Sequence, residues 1–238
     1  MEYNLLKGIP FNNETFDMVY HSHVIEHFSK EDALIFLMEC NRVLKQNGII
    51  RIAFPDLEQI VNNYMRLLQE LKNGNMEYEA DYDWIMLELY DQAVRNISGG
   101  EMLKYFTRES IPNEKFVLER CGIEAKKLIE AGKNKFHEKN KRGIDIKKYI
   151  RKKILKLLIG EKRYLTLQIG KFKLSGETHQ WMYDSFSLKR LLELIGFKQI
   201  IVRDAFTSYL NNWKEYNLDT EADGTIYKPD SNYIEAIK

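Results

Sequence analysis

Thr15-Phe16-Asp17-Met18-Val19-Tyr20-His21-Ser22-His23-Val24-Ile25-Glu26-His27-Phe28 and, one helix-length further on, Arg42-Val43-Leu44-Lys45-Gln46-Asn47-Gly48-Ile49-Ile50-Arg51-Ile52-Ala53-Phe54-Pro55-Asp56 are the runs whose reading decides the fold. Phe16, Met18, Val19 and Tyr20 predict a short buried strand over 16–20. Ser29 offers an N-cap, with Asp32 in the position where a capping box usually places Glu or Gln. Ala33, Leu34, Leu37, Cys40 (or Asn41) and Leu44 then repeat at helical spacing. Asn47 and Gly48 both tolerate the left-handed conformation and are read as the helix stop. The run 49–54 is nearly continuous in apolar character, as a buried parallel strand should be. Strand, helix and strand make a βαβ unit, whose crossover is expected to be right-handed.

The end of the chain repeats this style. Asp184 or Ser187 can cap a helix over 188–195, Gly196 ends it, and 197–206 is strand-like. A final strand spans 232–238, with Tyr233, Glu235 and Ile237 on one face and Ile234 and Ala236 on the other. The long interval between is mostly helical in pattern, most clearly over 57–71, 82–96 and 113–131. The expectation is an α/β chain in three parts: 1–56 as a partial α/β core, 57–175 as a helical insertion or lid, and 176–238 completing the sheet. No repeat or linker-like segment interrupts it.

A chain of 238 residues with 44% apolar and 30% charged content fits a soluble globular protein. No run approaches the ~18 apolar residues that span a bilayer, and the start lacks a secretory signal. Cys40 and Cys121 make no metal-binding pattern and read as small core residues, so no metal site is assigned. A reducing cytoplasm is the expected compartment. The net charge of +1 hides an asymmetry: residues 133–163 carry 13 Lys/Arg against three acids, leaving the rest acidic. That acidity argues against nucleic acid as a partner. Within the basic stretch, Ile146, Tyr149, Ile150, Ile154, Leu157 and Leu158 form an apolar stripe opposite Lys148, Arg151, Lys152 and Lys156. Residues 144–159 therefore either contact an anionic membrane surface peripherally or pack as a solvated lid helix.

The succession of strand, Glu26-His27, helix, Arg42-Val43-Leu44-Lys45, glycine turn, strand and Pro55-Asp56 resembles the fourth and fifth strands of class I S-adenosylmethionine-dependent methyltransferases. Glu88 to Arg95, Gly99-Gly100-Glu101-Met102, His179-Gln180-Trp181-Met182-Tyr183-Asp184, Gly196-Phe197 and the ending from Lys228 to Ala236 resemble a branch common among cell-surface polysaccharide methyltransferases. The resemblance implies a Rossmann-like doubly wound sheet of strand order 3-2-1-4-5-7-6 with the last strand antiparallel. This chain supplies candidates for strands 4, 5, 6 and 7. The family's glycine-rich cofactor loop lies ahead of the fourth strand, and no Gly-x-Gly occurs in this sequence. Gly99-Gly100 follows a helix and cannot stand in for it. The resemblance thus implies an incomplete sheet whose open edge invites self-association. It also implies weak or absent S-adenosylmethionine binding by the chain alone.

The resemblance also implies site residues. Asn4, where relatives place an aspartate facing the adenine amine, and Leu5 beside it are candidate cofactor contacts, as are Ser22 and His23 after the fourth strand. Asn4 can still accept a hydrogen bond, without a carboxylate's charge. His179 is the candidate base for a hydroxyl acceptor, with Trp181 and Tyr183 as aromatics against a sugar ring; otherwise it is a core histidine. His27 either orients the turn or binds substrate. Asp91 and Arg95, four apart on one helix face, either bind substrate or pair with each other, and pairing is the expected outcome. The function implied is methyl transfer to a saccharide or lipid-linked glycan, in the cytoplasm or peripheral to the inner membrane face. The alternative is a truncated or pseudo-methyltransferase that binds a partner or has no function.

Overall fold

The first βαβ unit forms as β1 (Phe16–Ser22), α1 (Lys30–Val43) and β2 (Leu44–Pro55). This computed structural model describes residues 4–137 and 146–238, and within them every side chain except those of 134–137 and 146–149. The Ser29 side chain accepts from Asp32 N at 3.1 Å, as the cap signal requires. Helix α1 then buries Ala33, Phe36, Leu37, Cys40 and Val43, spaced along one face. Its end differs from expectation. The helix stops at Val43, and Asn47-Gly48 form a bulge inside β2 instead: Phe16 pairs with Leu44, but Met18 already pairs with Ile49. Asn47 has φ 64°, and a Cβ on Gly48 would lie 2.9 Å from Lys45 O.

Among the described residues six α-helices follow: α2 (Leu57–Lys72), α3 (Glu79–Val94), α4 (Gly100–Phe106), α5 (Glu114–His137), α6 (Ile146–Ile159) and α7 (Glu161–Lys173). The middle of this insertion has a core of its own, in which Trp84, Tyr105, Phe106, Val117, Ala125 and Ile129 pack together with Cys121. Helix α5 is not the continuous helix that periodicity predicts. It kinks at Gly122, with φ 62°, where a Cβ would lie 2.6 Å from Pro229 Cδ. The kink lets the segment leading into the last strand pass close by. The stripe residues Ile146 and Tyr149, with Lys147 and Lys148 between them, have side chains outside the described set, and 144 and 145 lie outside the described residues.

The chain returns through α8 (Ser185–Ile195), β3 (Lys198–Arg203) and β4 (Ser231–Ile237). Asp184 is the cap: its carboxylate accepts from Ser187 N at 2.6 Å, and Ser187 Oγ accepts from Asp184 N at 3.1 Å. Strand β3 stops short of the predicted 206 because the Asp204 carboxylate captures Phe206 N and Thr207 N in a turn.

The sheet order is β1-β2-β4-β3, with β1 and β2 parallel and β4 antiparallel to both neighbours. This is the expected arrangement of strands 4, 5, 7 and 6, and the fold is a mixed α/β sheet with a large helical insertion. Ile25, Phe36, Leu37, Leu44, Ile52, Phe54, Leu188, Leu192 and Ile234 fill the layer between α1, α8 and the sheet, each contributing roughly 1.5–3 kcal/mol by burial. Among the described residues β1 pairs only with β2.

Simple alternation misplaces the charges of the central strands. Arg51 and Glu235 face each other across β2 and β4, and both are fully buried. Arg51 Nε donates to Asp219 Oδ2 at 2.7 Å and Nη1 to Glu235 Oε1 at 3.0 Å, while Nη1 and Nη2 also reach the carbonyls of Thr207 and Asp204. This face is covered by residues 204–219, which satisfy the charges they bury.

Candidate functional site

The parallel β1 and β2 end at the same sheet edge, the carboxyl edge at which open α/β sheets bind ligands. His23 N donates to Ala53 O at 2.9 Å, extending the pairing one residue, and then φ at His23 turns to 52°. That turn aims its ring at the start of β4: Nε2 lies 2.8 Å from Ser231 Oγ, and Nδ1 lies 3.4 Å from Glu26 Oε1.

Glu26 and His27 sit in the short 3-10 turn Ile25–His27, opposite the segment that carries His179. Backbone bonds clamp the two together. Gln180 N and Trp181 N both donate to Glu26 O, Gln180 Nε2 donates to His27 O at 2.9 Å, and His179 N donates to Gln92 O of α3 at 3.0 Å. His179 Nε2 is thereby held 3.9 Å from Glu26 Oε1, and the His27 and His179 rings meet edge to face at 4.8 Å. Glu26 is 1% exposed, yet neither of its oxygens accepts a hydrogen bond. Burial pushes its carboxyl up, but His23 and His179 together outweigh burial and hold it below the ordinary carboxylate range.

His179 is neutral, as the expected base should be, but burial pulls its pKa to about 3, which makes it a poor proton acceptor near neutrality. Its Nδ1 and that of His27 are buried without partners.

Beside this cluster, a cavity of about 340 Å³ opens between the sheet edge and the insertion. His23 and Pro55 line it from the sheet, Glu88, Gln92 and Arg95 from α3, Gly99 and Met102 around α4, and Glu177 and Asp230 from the connections. Arg95 and Glu177 pair at 3.1 Å. Arg95 Nε and Asp230 Oδ1 remain buried with no hydrogen-bond partner. Such atoms at a cavity wall are free to meet a polar ligand.

The other predicted site residues fall in different places. Asn4 Oδ1 accepts from Leu6 N at 3.0 Å and caps the turn Leu5–Lys7, while Leu5 packs against the sheet core. Ser22 borders a small hollow with Asp219 and Ser231. None of these three lines the cavity. The expected Asp91–Arg95 pair does not form: the Asp91 carboxylate accepts from Glu101 N and Met102 N, holding the first turn of α4, and Arg95 turns to Glu177. Trp181 is partly exposed with Lys30 Nζ 3.7 Å above its ring, on a groove shared with Leu57, Ala93, His179, Gln180 and Met182. Tyr183 is buried in the sheet core, where burial raises its hydroxyl to about 12, so it is not placed against a sugar ring. Glu26, Glu88, Gln92, Glu177 and Asp230 were not singled out from the sequence. Glu26, Asp230, Glu88 and Gln92 carried a signal only as members of quoted runs (the Glu-His pair, the Lys-Pro-Asp ending and the stretch from Glu88 to Arg95), and Glu177 carried none.

Comparison with known proteins bears on the start of the chain, through β1 and most of β2. Residues 3–52, which run from the cap at Asn4 through most of β2, match the family profile of a methyltransferase domain. No curated protein matches the chain. A solved structure of a SAM-dependent methyltransferase from Archaeoglobus fulgidus aligns with 98% of this chain at 12% identity and a TM-score of 0.33. The chain spans 63% of that protein's length.

Proposed function

We propose that the chain serves S-adenosylmethionine-dependent methyl transfer to a saccharide or lipid-linked glycan, with the acceptor in the cavity at the carboxyl edge of β1 and β2. The observation that carries this reading is the methyltransferase-domain match over residues 3–52, because those residues build the sheet edge that His23 and Pro55 extend into the cavity. Methyl transfer is an in-line displacement in which the protein mainly positions the reactants. The wall suits a polyol: Gln92, Arg95, Glu177 and Asp230 offer donors and acceptors, and Met102 and Phe106 offer apolar surface. In this reading α6 supplies contact with the anionic membrane surface on which a lipid-linked acceptor resides.

The test is transfer of an isotope-labelled methyl group from S-adenosylmethionine to glycan or glycolipid extracts. The expected result is label in the saccharide fraction and its loss in Asp230→Ala and Arg95→Leu. Label confined to protein or to small amines would overturn the acceptor class.

A second reading, a chain that binds a partner without transferring methyl groups, is supported by β1 pairing on one side only among the described residues. Self-association on a sizing column together with no bound S-adenosylmethionine in calorimetric titration favours it over the first.

A further inference from the structure

We infer that Glu26, His27 and His179 form a binding site for one divalent transition-metal ion, of the zinc, cobalt or manganese kind. The site lies beside the cavity, and its existence does not depend on the methyl-transfer reading.

The donor set is the first argument. One atom from each residue, a carboxylate oxygen and two imidazole nitrogens, lies within 4.8 Å of the other two. Two histidines and a carboxylate leave coordination positions open for solvent or a ligand oxygen. An ion about 2.1 Å from each donor holds the donors roughly 3–3.5 Å apart. Closing on it therefore needs movements of about an ångström, within the reach of side-chain rotation.

The second argument is independent of spacing. Glu26 is 1% exposed and both its oxygens lack a hydrogen-bond partner, as do His27 Nδ1 and His179 Nδ1. A buried carboxylate without a partner is costly, and a cation is what removes the cost. His23 Nδ1 at 3.4 Å and His179 Nε2 at 3.9 Å favour the ionised carboxylate but stand beyond ordinary hydrogen-bond length, so the oxygens keep lone pairs for a cation. Arg95, which also lines the neighbouring cavity, is engaged by Glu177 at 3.1 Å.

The third argument is framework. The ligands belong to segments far apart in sequence, but backbone bonds from Gln180 and Trp181 to Glu26, and from His179 to Gln92, fix them against each other. Such bracing is what orients metal ligands before the ion arrives. The groove lined by His179, Gln180 and Trp181 gives an entry path.

The experiment is calorimetric titration of Zn²⁺ into the chelator-stripped chain, with no methyl donor present, so that its outcome stands apart from any transferase assay. One Zn²⁺ per chain is expected. His27→Ala and His179→Ala should each weaken binding by at least about tenfold, whereas His21→Ala, at a histidine packed against Phe36, should leave it unchanged. Glu26→Gln keeps the shape should the alanine variants not fold. Co²⁺ substitution of the wild-type chain adds a signature: d–d bands without thiolate charge transfer. Absence of stoichiometric binding would overturn the inference. So would binding that survives Glu26→Gln and His179→Ala, or a thiolate band assigning the ion to Cys40 or Cys121.

Discussion

At the scale of single residues, the charged side chains inside the molecule show what a sequence conceals. Glu88 accepts from the indole of Trp84 and pairs with the buried Arg120. Glu88→Gln keeps the shape and removes the charge, leaving the Arg120 guanidinium without its counter-ion in a buried site. The expected cost is about 3–5 kcal/mol, read as a fall in the urea midpoint with an unchanged slope. A loss below about 1 kcal/mol would mean that the pair is wetter than its burial indicates. Residues of this kind were not legible beforehand, because their burial depends on partners remote in the chain. Arg51 finds Asp219 at a separation of 168 positions. The Glu26, His27 and His179 cluster was half legible for the same reason: both histidines stood out by chemistry, but nothing local announces that they meet.

At the scale of elements, caps and apolar runs were readable because they are local. Ser29 caps the helix it was expected to cap, and of the two candidates Asp184 and Ser187 it is Asp184 that caps α8. The helix end misread at Asn47-Gly48 and the kink missed at Gly122 have one cause. A residue able to adopt positive φ marks a change of direction, and only its packing partner determines whether that is a stop, a bulge or a bend. Asp184→Ala should destabilise by about 1 kcal/mol, shifting Tm by about 2–4 °C in a chain of this size. The bond from Ser187 N to the Asp184 carboxylate lowers its pKa in the folded chain. The stabilisation is therefore complete above the unfolded carboxylate range and is lost as pH falls through the folded value. The Tm gap between wild type and variant should narrow as the pH is taken from 7 toward 3, and a constant gap would show that the carboxylate's charge is not what caps α8. Helix α6 makes a different prediction. Its Leu157 and Leu158 are 87% and 74% exposed, with Ile150 and Ile154 half exposed on the same face and Arg151 and Lys152 nearby. Co-sedimentation with phosphatidylserine vesicles is expected, weakened by salt and by Leu157→Glu with Leu158→Glu. Equal binding to neutral vesicles would remove the requirement for anionic lipid, and binding to neither kind would leave α6 a solvated helix.

At the scale of the whole molecule, the sheet follows the order expected from the two quoted runs and the chain's ending. Alternating and continuous apolar strands with clear caps define a topology even where the covering of each face is not legible. The insertion was legible as helical but not as a body with its own core around Trp84 and Tyr105, because amphipathic helices do not state what they pack on. The placement of β4 has a temporal consequence. Among the described strands, the latest in sequence is the one that lies between β2 and β3, pairing with both. Until residues 231–237 emerge, β3 has no hydrogen-bonded neighbour among the described strands, and Arg51 has no Glu235. The sheet is therefore a structure that translation cannot assemble strand by strand: its joining strand is delivered only after both of the strands it joins.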